Sequence, residues 1–265
     1  MGVKSMFEVD IVKVDVSAKK TQKVKDYVAE EKPLQVFLNR TYYATIFCSP
    51  TNIKELAVGH VLSEGIIRSV EEIKEIRLKS EGECQIRLKP NVDLEKRLKL
   101  SMPLSRIILS ACESQSPYPH AGRLRRVKSD LKIKAETIHN SVKNLNFIAE
   151  VFRKTGGVHI AAIYKGDGGL VAFAEDIGRH NAVDKVIGIC ALKRIDFGEC
   201  FLALSGRLTG DMVLKAARVD IPIVASLAAA IDSGIAIAKD AGVTLIGFVR
   251  GNRMNIYSFP ERILS

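Results

Sequence analysis

The 265-residue chain has no tryptophan, and aromatic residues make up only 6% of it. Single-stranded nucleic acids are held on stacked aromatic side chains. That scarcity, with no recognised nucleic-acid motif, argues against nucleic acid as a partner. Cysteine is sparse and odd in number, at five, and no two cysteines stand at Cys-x-x-Cys spacing. A disulfide framework or a paired-thiolate zinc site is therefore not indicated, and a reduced intracellular protein is expected. Long apolar runs are missing too. The longest, Ile221 to Ile231, is closed by Asp232 and falls short of the roughly 20 residues a membrane helix needs. The first residues, Met1 to Met6, contain no apolar targeting core, and Met6 stands where a myristoylation signal wants Ser or Thr. The expectation is a cytoplasmic chain without a membrane partner. No Walker loop, His-Glu-x-x-His, Gly-x-Ser-x-Gly or zinc-deaminase signature is present.

What is there is an ordinary globular composition, 47% hydrophobic and 26% charged, rich enough in apolar residues to offset ordering entropy. The length suits one large or two modest domains. Forty basic residues against thirty acidic ones give a net charge of +10, which favours anionic partners in general. Between Arg123 and Lys134 lie six basic residues and one acid, Asp130.

The first half reads mostly as strands: Phe7 to Val16 alternates, Leu34–Leu38 and Thr41–Phe47 flank Asn39-Arg40 as a hairpin, and further strands fall near 73–78, 84–88 and 106–109. Asn52 and Glu55 have capping-box spacing ahead of a helix running from Ile53 to about Ile67. Ser110 to Asp130 lacks periodicity and is broken by Pro117, Pro119 and Gly122; a loop this long is usually functional or disordered. From Ile138 on, helices and strands alternate, which predicts βαβ units, a largely parallel sheet and ligand binding beyond the carboxyl ends of its strands. The expected organisation is a β-rich N-terminal part with one helix over 1–110, a basic loop carrying Cys112 over 111–134, and an α/β domain over 135–265.

Three polar clusters fall at such strand ends. Glu175 to Lys185 follows an apolar strand and opens a helix, where anions settle on free N–H groups; His180 and Asp184, and Asn181 and Lys185, are one turn apart and can meet on one face. Ser205-Gly206-Arg207-Leu208-Thr209 follows the next strand. Phe248-Val249-Arg250-Gly251-Asn252-Arg253 closes the last long one, and its two arginines could clamp a phosphate. Each of these also fits a plain capped helix, a βα turn or a charged hairpin. His159, among strand residues, reads as a core histidine. Cys48, Cys84, Cys190 and Cys200 fall in strands or on a core stripe and read as small buried hydrophobes. Cys112 heads the polar loop ahead of the basic run, where positive surroundings favour a thiolate.

Together, Leu56-Ala57-Val58-Gly59-His60-Val61-Leu62-Ser63-Glu64-Gly65, Thr155-Gly156-Gly157-Val158-His159, the eleven-residue run Glu175 to Lys185, Ser205-Gly206-Arg207 and Gly247-Phe248-Val249-Arg250 resemble, in order, the motifs of the FdhD/NarQ family, the formate dehydrogenase accessory sulfurtransferases. The resemblance spans roughly residues 31–263. It implies an α/β fold with a three-layer cytidine-deaminase-like core, without deaminase zinc ligands, and a smaller β-rich N-terminal part. It implies a carrier that takes persulfide sulfur from a cysteine desulfurase and passes it to the molybdenum cofactor, bis(molybdopterin guanine dinucleotide), for formate dehydrogenase. Under it Cys112 is the persulfide carrier, Phe248, Val249, Arg250, Gly251, Asn252 and Arg253 form the cofactor segment, and Arg179 and His180 join them at the helix start. No resident metal is implied, guanosine diphosphate would mimic part of the cofactor, and a homodimer is expected. The alternative is a non-catalytic protein that binds and delivers the cofactor, with Cys112 vestigial. Where the family's loop commonly reads Cys-Gly-x-Cys-Gly, this chain has Cys112-Glu113-Ser114-Gln115-Ser116; His60 replaces a usual Phe, Asp211 a usual Glu, and Ala228 to Ile231 a more polar stretch.

Overall fold

The computed structural model describes residues 5–80, 82–101, 107–108 and 125–265. The chain opens with a hairpin of β1 (Met6–Asp15) and β2 (Lys20–Ala29), paired in strict antiparallel register from Met6↔Ala29 to Asp15↔Lys20. The sequence pattern points to β1 but not to β2, whose residues are mostly polar and exposed on both faces.

A five-stranded sheet follows. β3 (Lys32–Leu38) and β4 (Thr41–Cys48) form the expected hairpin, and the two turn residues Asn39 and Arg40 both have positive φ, 48° and 71°, as a tight two-residue hairpin requires. After helix α1 (Ile53–Ser63), β5 (Ile73–Ser80) and β6 (Glu83–Leu88) extend one edge; α2 (Leu94–Ser101) leads to β7 (Ile107–Ile108) on the other, in the order β5-β6-β3-β4-β7. α1 is shorter than its hydrophobic pattern suggests. Its expected side-chain cap does not form: Asn52 is left-handed, φ 51°, instead of the extended conformation from which an N-cap side chain accepts the first-turn N–H groups.

Beyond β8 (Ile133–Lys134), the apolar stripe from Ile138 to Phe152 is divided into α3 (Ala135–Ile148) and α4 (Glu150–Thr155), with Ala149 extended between them. The remaining elements are β9 (His159–Lys165), β10 (Leu170–Asp176), α5 (Arg179–Leu192), β11 (Cys200–Leu204), α6 (Gly210–Arg218), β12 (Ile223–Ser226), α7 (Asp232–Ala241), β13 (Thr244–Arg250), β14 (Arg253–Ser258) and β15 (Ile263–Leu264). Six of these strands make the central sheet, ordered β10-β9-β11-β12-β13-β14. Only β11, β12 and β13 run parallel; β9, β10 and β14 are antiparallel neighbours. The expectation of a largely parallel sheet therefore holds for its middle alone, since β9-β10 and β13-β14 are hairpins and need no crossover.

Both faces of this sheet are covered, so its middle strands are mostly apolar, with polar Ser226, Thr244 and Arg250 at strand ends. On β11, Cys200, Leu202 and Leu204 point to one side and Phe201 and Ala203 to the other. Ile138, Val142 and Leu145 of α3 cover the second side; Val183, Val186 and Ile187 of α5, Met212 and Val213 of α6 and Ala238 of α7 cover the first. That is a three-layer α/β sandwich. The first-side core continues through α1 into Leu34, Val36, Cys84 and Ile86 of the N-terminal sheet. The joint is the crossing of α1 and α5, where backbone meets backbone. A Cβ on Gly59 would lie 1.7 Å from the Asp184 carbonyl oxygen, and one on Gly188 would lie 1.9 Å from that of Glu55. Only glycine permits this approach.

Candidate functional site

The carboxyl ends of β11, β12 and β13 open into a cavity of about 660 Å³, within the size range of small-molecule sites. Ser205, Leu227 and Arg250, which follow or end these three strands, line it together with His159 at the adjoining end of β9. Gly156 and Gly157 form another wall, and Ile177 a third. Gly156 ends α4 in a left-handed conformation, φ 62°, as helix C-caps often require of glycine. The α4 start is held by Glu175, whose carboxylate accepts the N–H groups of Val151 (3.2 Å) and Phe152 (2.7 Å). Four separate sequence motifs thus converge on one crevice.

Ser205 accepts a hydrogen bond from the Ile160 N–H at 3.0 Å and lies 3.5 Å from His159 Nδ1. Burial pulls the His159 imidazole below the usual histidine range, and the neighbouring His180 and Arg207 act in the same direction. His159 is thus a neutral group on the cavity wall rather than a core histidine. Arg250 is fixed by its Nε, which donates to the Leu227 carbonyl at 2.7 Å, and by its guanidinium stacked 5.4 Å from the Phe248 ring centroid. Phe248 itself has φ 52°, an uncommon conformation for a bulky residue. Val249 is buried in the core against α3. Gly251 and Asn252 make the exposed turn, and Arg253 stands opposite Arg250 across it, exposed.

The Glu175–Lys185 run behaves differently from its sequence reading. Asp176 and Lys185 are fully buried and paired at 2.6 Å. Asp176 also accepts from the Ser49 N–H, the Gly178 N–H and Asn181, while Lys185 donates to the carbonyls of Ser49 and Glu175 and to the Thr51 hydroxyl. Asn181 reaches the Phe47 carbonyl at 2.8 Å. These bonds tie the end of β4 to the start of α5. Asp184 points the other way, accepting from Ser63 at 2.6 Å and from Lys215 at 3.0 Å, with His60 Nδ1 3.0 Å away. Lys215 also pairs with Glu64 at 2.7 Å. Burial opposes ionisation of Asp184 and Glu64, yet Lys215 and His60 hold both below the ordinary carboxylate range. The expected helix-face pairs, His180 with Asp184 and Asn181 with Lys185, do not form. Each of these residues finds a closer partner on another element; that of His180 is Asp211, in the first turn of α6. Arg179 is buried, its side chain packed against Gly206, where a Cβ would come within 3.1 Å of the Arg179 Cβ.

Cys48, Cys84 and Cys190 are buried and their thiols are pushed up to about 12 by desolvation, with Cys200 at about 11. None of the four is a nucleophile near neutral pH. Cys112, Arg123 and Gln115 lie outside the described residues. Of the basic run that follows, Arg126 stacks over Phe259 at 5.5 Å and Val127 is buried in the core. Among the described residues, no helix is long and apolar enough to cross a membrane, and no group of three His, Cys, Asp or Glu side chains could hold a metal ion.

The profile of the FdhD/NarQ family matches residues 29–264. The chain belongs to the FdhD/NarQ family. A protein named sulfur carrier protein FdhD from Sulfolobus acidocaldarius is 39% identical over 239 residues, 90% of this chain and 91% of its own length. Another of that name, from Methanothermobacter thermautotrophicus, is 35% identical over 258 residues, covering 97% and 98%. A crystal structure described as that of a candidate formate dehydrogenase accessory protein from Desulfotalea psychrophila superimposes with a TM-score of 0.79 at 27% identity, covering 98% of this chain and 100% of that one. FdhD/NarQ motifs that are far apart in sequence meet here in two places. The Thr155–His159, Ser205–Arg207 and Phe248–Arg250 motifs build the cavity, while Leu56–Gly65 and much of Glu175–Lys185 build the joint behind it.

Proposed function

We propose that this chain is a cytoplasmic sulfur carrier that takes sulfur from a cysteine desulfurase on Cys112 and passes it to bis(molybdopterin guanine dinucleotide), the molybdenum cofactor destined for formate dehydrogenase. The observation that supports this most is the cavity beyond β11, β12 and β13, lined by His159, Ser205 and an Arg250 whose direction is fixed, in a chain whose relatives carry the sulfur-carrier name. In the loading step the Cys112 thiolate attacks the outer sulfur of the desulfurase persulfide. A new S–S bond forms on Cys112, the donor's S–S bond breaks, and the desulfurase cysteine leaves as a thiolate. The cofactor is cargo. Its guanine nucleotide phosphates would take charged hydrogen bonds from Arg250 and Arg253, with Arg179 and His180 at the start of α5.

Guanosine diphosphate tests the crevice by calorimetry. Arg250→Ala and Arg253→Ala should each weaken its binding by about 1.5–3 kcal/mol, the range for a hydrogen bond to a charged group. Unchanged affinity in both, and in Arg179→Ala, removes the assignment. A second reading is favoured by Gln115, which stands where the family commonly has a second loop cysteine: a delivery protein that binds the cofactor without carrying sulfur. Full activation of formate dehydrogenase by Cys112→Ala would select it.

A further inference from the structure

A second cavity, of about 420 Å³, lies away from the crevice that the motifs build, and its size is again that of a small-molecule site. Val171 of β10 and Ile189 and Leu192 of α5, all partly buried against the core, form an apolar wall. Asn52 and Glu55 at the start of α1, and Lys193 at the end of α5, supply its polar groups. The two cavities sit at opposite ends of α5, whose 14 residues span about 21 Å at a helical rise of roughly 1.5 Å per residue.

The two charges come from helices fixed against each other. A Cβ on Gly188 would lie 1.9 Å from the Glu55 carbonyl oxygen, so α1 and α5 touch there. Lys193 follows one and a half turns later, about 7.5 Å along the α5 axis. Glu55 and Lys193 nevertheless do not pair across the cavity, and among the described residues neither is ion-paired with any other group. The neighbouring Arg194 is already paired, with Glu71 at 3.0 Å. Asn52 makes no side-chain cap bond to its own helix.

These groups define a ligand. A purely anionic molecule is repelled by Glu55, and a purely cationic one by Lys193. A molecule bearing both charges meets both side chains through charge-assisted hydrogen bonds, while the apolar wall covers a hydrocarbon group. In a free α-amino acid the two charges are only a few bonds apart, which suits a carboxylate and an ammonium converging from two touching helices.

We propose that this cavity binds a free α-amino acid with an aliphatic side chain. Glu55 accepts from its ammonium group, Lys193 donates to its carboxylate, and Val171, Ile189 and Leu192 pack on its side chain. The proposal depends neither on the sulfur chemistry nor on the cofactor crevice. Titration calorimetry of the full chain with L-leucine tests it, beside two truncated probes: isocaproate, which lacks the ammonium group, and isoamylamine, which lacks the carboxylate. L-leucine should bind, and each truncated probe should bind about tenfold more weakly, the effect of one lost hydrogen bond between charged groups. Glu55→Gln should weaken L-leucine about tenfold without weakening isocaproate, and Lys193→Met should do the same without weakening isoamylamine. Far-UV circular dichroism checks that both variants fold. Arg250→Ala, in the other cavity, should leave L-leucine affinity unchanged. A wild type that does not bind L-leucine would overturn the proposal. Equal binding of the truncated probes, read on the wild type alone, would overturn the requirement for both charges. Binding that either variant leaves intact, or that Arg250→Ala abolishes, would place the ligand elsewhere and overturn the site.

Discussion

Replacing Lys185 by Met removes the ammonium that Asp176 faces inside the joint between β4 and α5. Both side chains are fully buried, 2.6 Å apart, and Lys185 also serves three oxygen acceptors, at 3.0 Å (Ser49 carbonyl), 3.3 Å (Thr51 hydroxyl) and 3.3 Å (Glu175 carbonyl). A carboxylate left alone in such a place costs about 3–5 kcal/mol, out of a total stability of about 5–15 kcal/mol. The midpoint of thermal unfolding should fall on the order of 10 °C for a chain of this size. Adding Asp176→Asn removes the charge and keeps the oxygen that accepts from the Gly178 N–H and Asn181, at the cost of the acceptor for the Ser49 N–H. It should therefore recover about 2 kcal/mol, read as coupling in a double-mutant cycle by urea unfolding. The pH dependence has a definite sign. Burial already pushes the Asp176 carboxyl above its ordinary value, with Lys185 restraining the rise; without Lys185 it rises further. Below the unfolded carboxyl pKa of about 3.9 both states are protonated, and as pH climbs only the unfolded state loses its proton. The deficit of Lys185→Met should therefore be smallest in acid and complete at neutral pH. A loss under about 1 kcal/mol, or additive effects in the cycle, would refute the stranded-charge reasoning.

Other consequences follow from the same packing. Gly188→Ala should destabilise by about 3 kcal/mol or more, since its Cβ would lie 1.9 Å from the Glu55 carbonyl oxygen; chemical unfolding of purified variant and parent measures it. At pH 8, alkylation of the native chain should modify Cys112 and leave Cys48, Cys84, Cys190 and Cys200 unlabelled, because thiols pushed up to about 11 or 12 hold almost no thiolate there. Peptide mapping reads the outcome, and rapid labelling of Cys190 in the folded chain would contradict it.

Much of the second half was legible because buried strands and amphipathic helices carry their periods openly. β11, five apolar residues in a row, is an example; in the first half the Asn39-Arg40 turn was legible from the strand patterns on either side. β2 was not, because a ribbon exposed on both faces has no apolar alternation to read. The α3–α4 break at Ala149 was hidden for the opposite reason, an apolar stripe that continues across it. The polar density of Glu175–Lys185 reads equally as a ligand site or as a capped helix start with a solvated face; the structure makes most of it a buried joint instead. The decision lies with Ser49, His60 and Lys215, distant in sequence, whose oxygens and nitrogens complete the buried pairs. His60 even keeps a buried Nε2 with no hydrogen-bond partner. His159 read as core because the strand after it is apolar; only the meeting of β9 with the end of β11 turns it to the cavity.

The central proposal is that sulfur rides on Cys112. Incubating the chain with a cysteine desulfurase and cysteine, followed by intact-mass and peptide analysis, tests it most directly. One added sulfur atom at Cys112, absent in Cys112→Ala and retained in Cys190→Ala, is the predicted result. A chain that gains no sulfur, or gains it equally without Cys112, would contradict the account.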